Sequence, residues 1–166
     1  MDFFCDVFSD PSRSALPDPD GPEEHPISVI NFFTFLARLC AAGEPILLIN
    51  GLWILVCALE PPPDLQGRIA VNAILCAAEW MLCNASQIYA RMREGHATKE
   101  AVRALGEFSG QGSALSLARW RCWKANFALL VGAGEEEVVE VAARVVRVME
   151  GVEREARGLD AGGGIV

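Results

Sequence analysis

The chain has 166 residues, of which 52% are apolar and 22% are charged. This composition is typical of one folded domain with a sizeable core and excludes a largely disordered chain. The formal net charge is −8, and residues 1–26 carry most of it, with seven acids and one base. The other residues hold fifteen acids and thirteen bases, so neither part has the cationic surface that nucleic-acid binding requires.

An acidic, proline-rich segment, residues 1–27, comes first. Residues 9–26 hold five of the nine prolines, a composition typical of a largely flexible linker. The apolar residues before the linker either dock on the core as one short turn or form an unanchored tail. They also provide a candidate contact for a protein partner. These residues are Phe3, Phe4, Val7 and Phe8. Because the segment has no basic n-region and no long apolar run, we expect no secretory signal and a cytoplasmic location.

Residues 28–157 are predicted to form one bundle domain. Its first helix spans about residues 28–42, with Ser28 as the N-cap and Gly43 as the stop. At ~100° per residue, Asn31, Thr34 and Arg38 share one face of this helix, and apolar residues hold another. The helix is therefore predicted to pack one side on the core.

The second helix is predicted over residues 45–59 and ends before Pro61. It is apolar all round apart from Asn50 and Gly51, which indicates a central, buried helix. A buried amide left unpaired costs about 1–3 kcal/mol, so Asn50 should bond either a neighbouring helix or a ligand. Trp53 is three residues on and is a candidate wall of a ligand pocket.

The third helix is predicted over residues 65–94, with Gly95 as its stop. A stripe centred on Glu79 runs along it, and the face opposite, which includes Tyr89, is mostly apolar. The stripe is either a solvated face or the lining of a partly enclosed cavity, in which Glu79 acts as acid, base or hydrogen-bond acceptor. Trp80 lies about 100° round the helix from Glu79. The stripe also contains Arg68, Asn72, Cys76, Cys83 and Ser86.

A short helix is predicted over residues 98–107, and the next helix contains SLARWRCWKANFALL, residues 116–130. Large apolar side chains form an arc on the helix that contains residues 116–130. Arg119 and Arg121 lie about 160° apart and therefore do not form one cationic surface. The arc is either core packing or the wall of a pocket. Its members are Trp120, Trp123, Phe127, Leu130 and Val131.

The last helix is predicted over residues 135–157, and residues 158–166 should be a flexible, glycine-rich tail. The fold class is therefore an all-α, single-domain bundle of about five to six helices. The six cysteines include no CxxC pair, and the two histidines lie far from any cysteine pair. We expect no metal site and no cofactor.

Four short motifs, read in order, resemble landmarks of a fungal all-helical family of unknown function, of the kind found among secondary-metabolite genes. They fall at residues 31–39, 52–60, 78–80 and 117–124, and the resemblance covers about residues 31–157. It implies a small-molecule task and transfers no catalytic residues. The loop at residues 108–112 departs from the Trp-Gly-rich form of that family.

Two hypotheses on function follow. In the first, the protein is a small intracellular binder of an apolar metabolite and, if it is an enzyme, a cofactor-free, pericyclase-like cyclase or isomerase. Orientation in a dry cavity supports such chemistry without a nucleophile. Its substrate-binding residues would be Asn50, Trp53, Trp80, Tyr89, Trp120 and Trp123, with Glu79 as the catalytic group. In the second, the protein is a non-catalytic interaction or scaffold module.

Overall fold

The computed structural model describes residues 26–44, 47–60, 68–95, 115–133 and 135–162. Within these ranges the chain forms five helices and no strand, so the predicted all-α, single-domain fold is confirmed. The helices are α1 (Pro26–Ala41), α2 (Leu48–Leu59), α3 (Arg68–Glu94), α4 (Leu117–Ala133) and α5 (Glu136–Gly162).

Glycines in the left-handed region follow α1 and α3. Gly43 has φ of 121° and Gly95 has φ of 67°, values that cost glycine little because it lacks a Cβ. Both predicted stops are therefore confirmed. Ser28, in contrast, is not an N-cap, because α1 already begins at Pro26. A proline suits the first turn of a helix, where its missing N–H has no partner to lose.

The centre of the bundle is α3, which packs against each of the other four helices. The prediction that the second helix is central and buried holds in part: seven of the twelve residues of α2 are buried, but Cys57 is exposed and Trp53 is only partly buried. Helix α5 has 27 residues, as α3 does, and packs mainly against α3 and α4. The central place of α3 therefore follows from the packing arrangement and not from its length.

The apolar arc of α4 points into the core. Trp120, Trp123, Phe127 and Leu130 are each at most 2% exposed. Val131 is 38% exposed, because it lies at the edge of the arc. The predicted inward face is therefore observed for Trp120 and Trp123 and for Phe127 and Leu130, which follow them on α4.

The last helix starts at Glu136, close to the predicted position, and continues to Gly162 rather than ending near residue 157. Its valines belong to a helix and not to a strand, and Val138, Val145 and Met149 are fully buried. Among the described residues, no helix is both long enough and apolar enough to cross a membrane.

Several predictions concern residues that lie outside the described ranges. They are the placement of Phe3, Phe4, Val7 and Phe8, the flexible linker before Pro26, the short helix at 98–107, the loop at 108–112 and the end of the tail after Gly162.

Candidate functional site

A buried ion pair joins the end of α2 to the start of α4. Arg119 is 0% exposed, and its Nη2 donates to Glu60 Oε2 at 3.0 Å while its Nε lies 2.5 Å from Glu60 Oε1. Trp123 Nε1 donates to the same Oε1 at 3.2 Å. One carboxylate thus accepts from two side chains that are one turn apart on α4, which offsets the cost of burying the charges.

Three further contacts fix the same junction. Asn126 donates its Nδ2 to the backbone oxygen of Leu59, the last residue of α2. The first turn of α4 is capped by Ser116, whose Oγ accepts from the backbone N–H of Arg119 at 3.3 Å. The backbone N–H of Ser116 is itself 3.2 Å from Met92 Sδ on α3. The start of α4 is therefore held by both preceding helices.

A second carboxylate joins α4 to α5. Glu153 Oε1 accepts from Trp120 Nε1 at 2.8 Å, and both of its oxygens lie 2.7 Å from Lys124 Nζ. Burial acts to raise the pKa of Glu153, but the hydrogen bonds from Lys124 and Trp120 and the charges of Lys124 and Arg157 outweigh it. The pKa is therefore lowered from its ordinary value of 4.5. Glu153 stays ionised at neutral pH.

Arg119, Lys124 and the two tryptophans of α4 thus have defined partners inside the bundle, whereas Arg121 is exposed. The indole N–H groups of Trp120 and Trp123 both donate to carboxylates, as buried tryptophans usually require. The ring of Tyr89 on α3 packs against Trp120 with ring centroids 4.9 Å apart. The residues of the Trp-x-x-Trp-Lys pattern therefore hold α4 to its neighbouring helices. A ligand role for these two tryptophans stays a prediction.

Trp80 lies against the backbone of α2. A Cβ built on Gly51 would overlap the Trp80 ring, so the absence of a side chain at Gly51 lets the two helices approach closely. Trp80 is 0% exposed, and its Nε1 has no hydrogen-bond partner within the structure. The neighbouring Asn50 is half-buried, and its predicted hydrogen-bond partner stays a prediction.

Asn84 is one turn beyond Trp80 and is 1% exposed. Its Nδ2 donates to Ala37 O on α1 at 3.0 Å and to Trp80 O at 3.3 Å. Its Oδ1 is buried and has no partner within the structure. A buried donor on Trp80 and a buried acceptor on Asn84 are therefore present on successive turns of α3. Each group has lost its hydrogen bonds to water, which lowers the stability of the fold.

Glu79 is half-buried, and its charge acts on the nearby thiols of Cys76 and Cys83. Burial, together with the charge of Glu79, raises the pKa of Cys76 to about 12. Burial and Glu79 also raise the pKa of Cys83, and Arg38 acts in the opposite direction. Both thiols are protonated at neutral pH and are therefore poor nucleophiles and metal ligands. Within the described ranges, no group of three or more acids, cysteines or histidines could hold a metal ion. The catalytic role of Glu79 stays a prediction.

The sequence pattern does not identify Glu60, Arg119 and Glu153 as a structural set. One signal was available for Arg119, since it lies about 40° from Trp123 on the wheel, at the edge of the aromatic arc. The two carboxylates gave no such signal, because each meets α4 only in the folded bundle.

An exposed apolar stripe runs along α1, and we call Phe32, Phe35 and Leu39 the α1 stripe. These side chains are 50%, 60% and 38% exposed. At ~100° per residue they fall within about 60° of one another. The opposite side of α1 is buried against the bundle and consists mainly of Phe33, Ala37 and Cys40. The helix is therefore apolar on two sides, and only one of them packs on the part of the domain that the structure describes.

Polar side chains lie along one edge of the α1 stripe. Asn31 and Arg38 are both exposed and lie about 40–60° beyond Phe35 on the wheel. Arg38 is the one charged residue in the sequence of α1. The stripe thus combines three large apolar groups with a single cation at its edge.

A family model described as "Protein of unknown function (DUF3632)" matches residues 1–127. The matched range includes the whole acidic N-terminal segment and ends within α4, so it begins earlier and ends earlier than the expected resemblance over residues 31–157. No curated protein and no solved structure matches the chain.

Proposed function

Because the chain belongs to the DUF3632 family of proteins of unknown function, we propose a function from its own geometry. The domain is a non-catalytic interaction module that binds an amphipathic helix of a protein partner on the α1 stripe. The observation that carries this proposal is the exposure of Phe32, Phe35 and Leu39 on one side of one helix.

Exposed large apolar groups aligned on one helix are unfavourable in water and are typical of binding surfaces. Their spacing of i, i+3 and i+7 is the pattern by which one helix packs against another. A partner helix would bury the two aromatic rings, the kind of residue that dominates binding energy at interfaces. The stripe therefore favours a helical partner over a flat polar surface.

Charge indicates the chemistry of that partner. Arg38 borders the α1 stripe and is exposed, so a carboxylate on the partner helix would pair with it at the rim of the interface. Such a rim pair contributes to orientation and association rate more than to affinity. The expected partner segment is an apolar helix face with an acidic residue at its edge.

The tryptophan-rich helix supports the same proposal indirectly. Trp120 and Trp123 are buried and hydrogen-bonded to Glu153 and Glu60, so they hold α4 to its neighbours. The two tryptophans of α4 thus have a structural role that requires no ligand.

The experiment compares full-length wild type with Phe35→Ser and with Leu129→Ser, a matched change at an exposed leucine of α4. Proteins retained from cell extract by wild type and by Leu129→Ser, but not by Phe35→Ser, are then purified and tested for direct binding. We expect Phe35→Ser to weaken direct binding at least about tenfold. Equal binding by all three proteins, or equal loss in both variants, would overturn the proposal.

A second candidate function has its own observation, the buried and unpartnered Trp80 Nε1 and Asn84 Oδ1. An apolar metabolite that carries one hydroxyl or carbonyl group could satisfy one of these atoms while its apolar part contacts Trp53, Trp80 or Tyr89. Orientation in such a site, with Glu79 near developing charge, is the basis for the cofactor-free cyclase or isomerase hypothesis. A role in fungal secondary metabolism would fit this second candidate function and is not part of the interaction-module proposal.

Its test incubates purified protein with polyene or terpenoid extracts and identifies retained or converted compounds by mass spectrometry. Trp80→Phe removes the unpartnered N–H and keeps an aromatic ring, so it should reduce retention while leaving the fold intact. Glu79→Gln should reduce conversion. If wild type retains and converts nothing, the metabolite candidate fails.

We also infer a reducing, cytoplasmic compartment. Cys40, Cys76, Cys83 and Cys122 are all reduced thiols in the structure, and such thiols are typical of cytosolic proteins. A thiol count by mass spectrometry on protein isolated from its native cells tests this inference. The presence of disulfides there would contradict it.

A further inference from the structure

We propose that residues 2–10 of the same chain are an intramolecular ligand of the α1 stripe and compete there with the external partner. This inference rests on the proposed function, because it assigns a second occupant to the same surface. Residues 2–10 lie outside the described ranges, and their contribution to the contact is inferred from their sequence pattern.

The first support is the pattern of the segment DFFCDVFSD. If residues 2–10 are projected at ~100° per residue, the four large apolar side chains fall within an arc of about 140°. The acids fall within a separate arc of about 80° on the other side. The apolar group is Phe3, Phe4, Val7 and Phe8, and the acidic group is Asp2, Asp6 and Asp10. This is the amphipathic sequence pattern expected of a segment that binds the α1 stripe.

The second support is charge complementarity. Residues 2–10 contain three acids and no base, and Arg38 at the edge of the stripe is the one charged residue of α1. Apolar docking on Phe32, Phe35 and Leu39 would bring an acidic flank towards that cation. The segment therefore has the apolar and acidic chemistry that the surface predicts for its partner.

The third support is reach. Residues 11–25 connect the segment to α1 at Pro26, and 15 extended residues span up to about 50 Å. Phe35 is nine residues into the helix, or roughly 14 Å from its start at 1.5 Å per residue. The connection is long enough for the segment to fold back along α1, and its tethering raises the effective concentration of the segment.

The family match gives an independent indication that the segment is part of the domain. The matched range starts at residue 1 and includes residues 2–10 together with α1. A segment unrelated to the domain would not be expected inside that range. The consequence for function is competition: the external partner would bind only the fraction of molecules in which the stripe is uncovered.

The test uses the full chain and its own Cys5, which lies within the proposed ligand. A nitroxide label is attached to Cys5 in a Cys57→Ser background, because Cys57 is also exposed, and mass spectrometry verifies single labelling. Amide signals are then recorded by NMR on isotope-labelled protein. We expect selective broadening at Phe32, Phe35 and Leu39, and no broadening at Leu129 on α4.

Two controls sharpen the result. Phe4→Ser with Phe8→Ser removes apolar groups from the segment and should abolish the broadening while leaving the helix signals of α5 unchanged. A mixture of two proteins tests contact between two copies of the chain. One protein carries the nitroxide and no isotope label, and the other carries the isotope label and no nitroxide. Broadening of the α1 stripe in the mixture, uniform broadening over all surfaces, or none at all would overturn the proposal.

The outcome is separable from that of the proposed function. If no broadening occurs but Phe35→Ser still loses its external partner, the interaction module stands and the intramolecular ligand fails. If selective broadening occurs but no partner depends on Phe35, the segment is the occupant of the stripe and the external partner fails. If both hold, Phe4→Ser with Phe8→Ser should increase affinity for the partner.

Discussion

Arg119 is fully buried against Glu60, which precedes it by 59 residues in the chain. The pair joins the end of α2 to the start of α4, and Trp123 donates to the same carboxylate. Removing one member of a buried ion pair is destabilising, because the charge that stays buried loses favourable interactions. This junction should therefore be sensitive to substitution.

We expect Glu60→Gln to lower the free energy of unfolding by about 1–3 kcal/mol, because it removes the charged carboxylate that accepts from the buried Arg119 and from Trp123. Urea denaturation followed by circular dichroism measures the change. Glu150→Gln on the exposed side of α5 is the matched control and should change the value by less than about 0.5 kcal/mol. Equal effects of the two substitutions would contradict the assignment of a buried pair.

The second carboxylate predicts a pH dependence. Since the pKa of Glu153 is lowered in the folded protein, the unfolded chain binds more protons and stability rises with pH. This contribution is complete above the ordinary glutamate pKa of 4.5 and is lost as pH falls through the lower folded value. Wild type should exceed Glu153→Gln in unfolding free energy at pH 7 by more than it does at pH 3. A difference that is independent of pH would contradict this account.

The contact between α2 and α3 is tested at a glycine. Gly51→Ala places a Cβ inside the Trp80 ring, so the helices must separate, and we expect a loss of about 1–3 kcal/mol in the free energy of unfolding. Gly132→Ala on α4 meets nothing within 4 Å and should stabilise the protein by about 0.4–1 kcal/mol. Thermal unfolding of both variants provides the comparison. A neutral or stabilising Gly51→Ala would show that Trp80 does not pack on that backbone.

Local signals were enough to predict much of the fold. Gly43 and Gly95 end their helices as expected, since both adopt the positive φ that glycine tolerates. The inward face of α4 followed from the spacing of Trp120, Trp123 and Phe127. The helix ends and the inward face both depend on residues that are close in sequence or on one face of a helix. A helical projection represents such residues directly.

The candidate site was less predictable, because it depends on which faces meet. Glu60 and Glu153 are recognisable as partners of α4 only once α2, α4 and α5 are packed. The α1 stripe was not predicted, because Asn31, Thr34 and Arg38 indicated one polar face and the apolar residues were expected to pack on the core. Phe32 and Phe35 are exposed because the described part of the bundle covers only the other side of α1.

The most direct test of the central claim is the affinity of a purified partner for full-length wild type and for Phe35→Ser, measured by isothermal titration calorimetry. Leu129→Ser provides the matched control, and circular dichroism verifies that all three proteins are folded. We predict a Kd at least about tenfold higher for Phe35→Ser and an unchanged Kd for Leu129→Ser. An unchanged Kd for Phe35→Ser would contradict the assignment of α1 as the interaction surface.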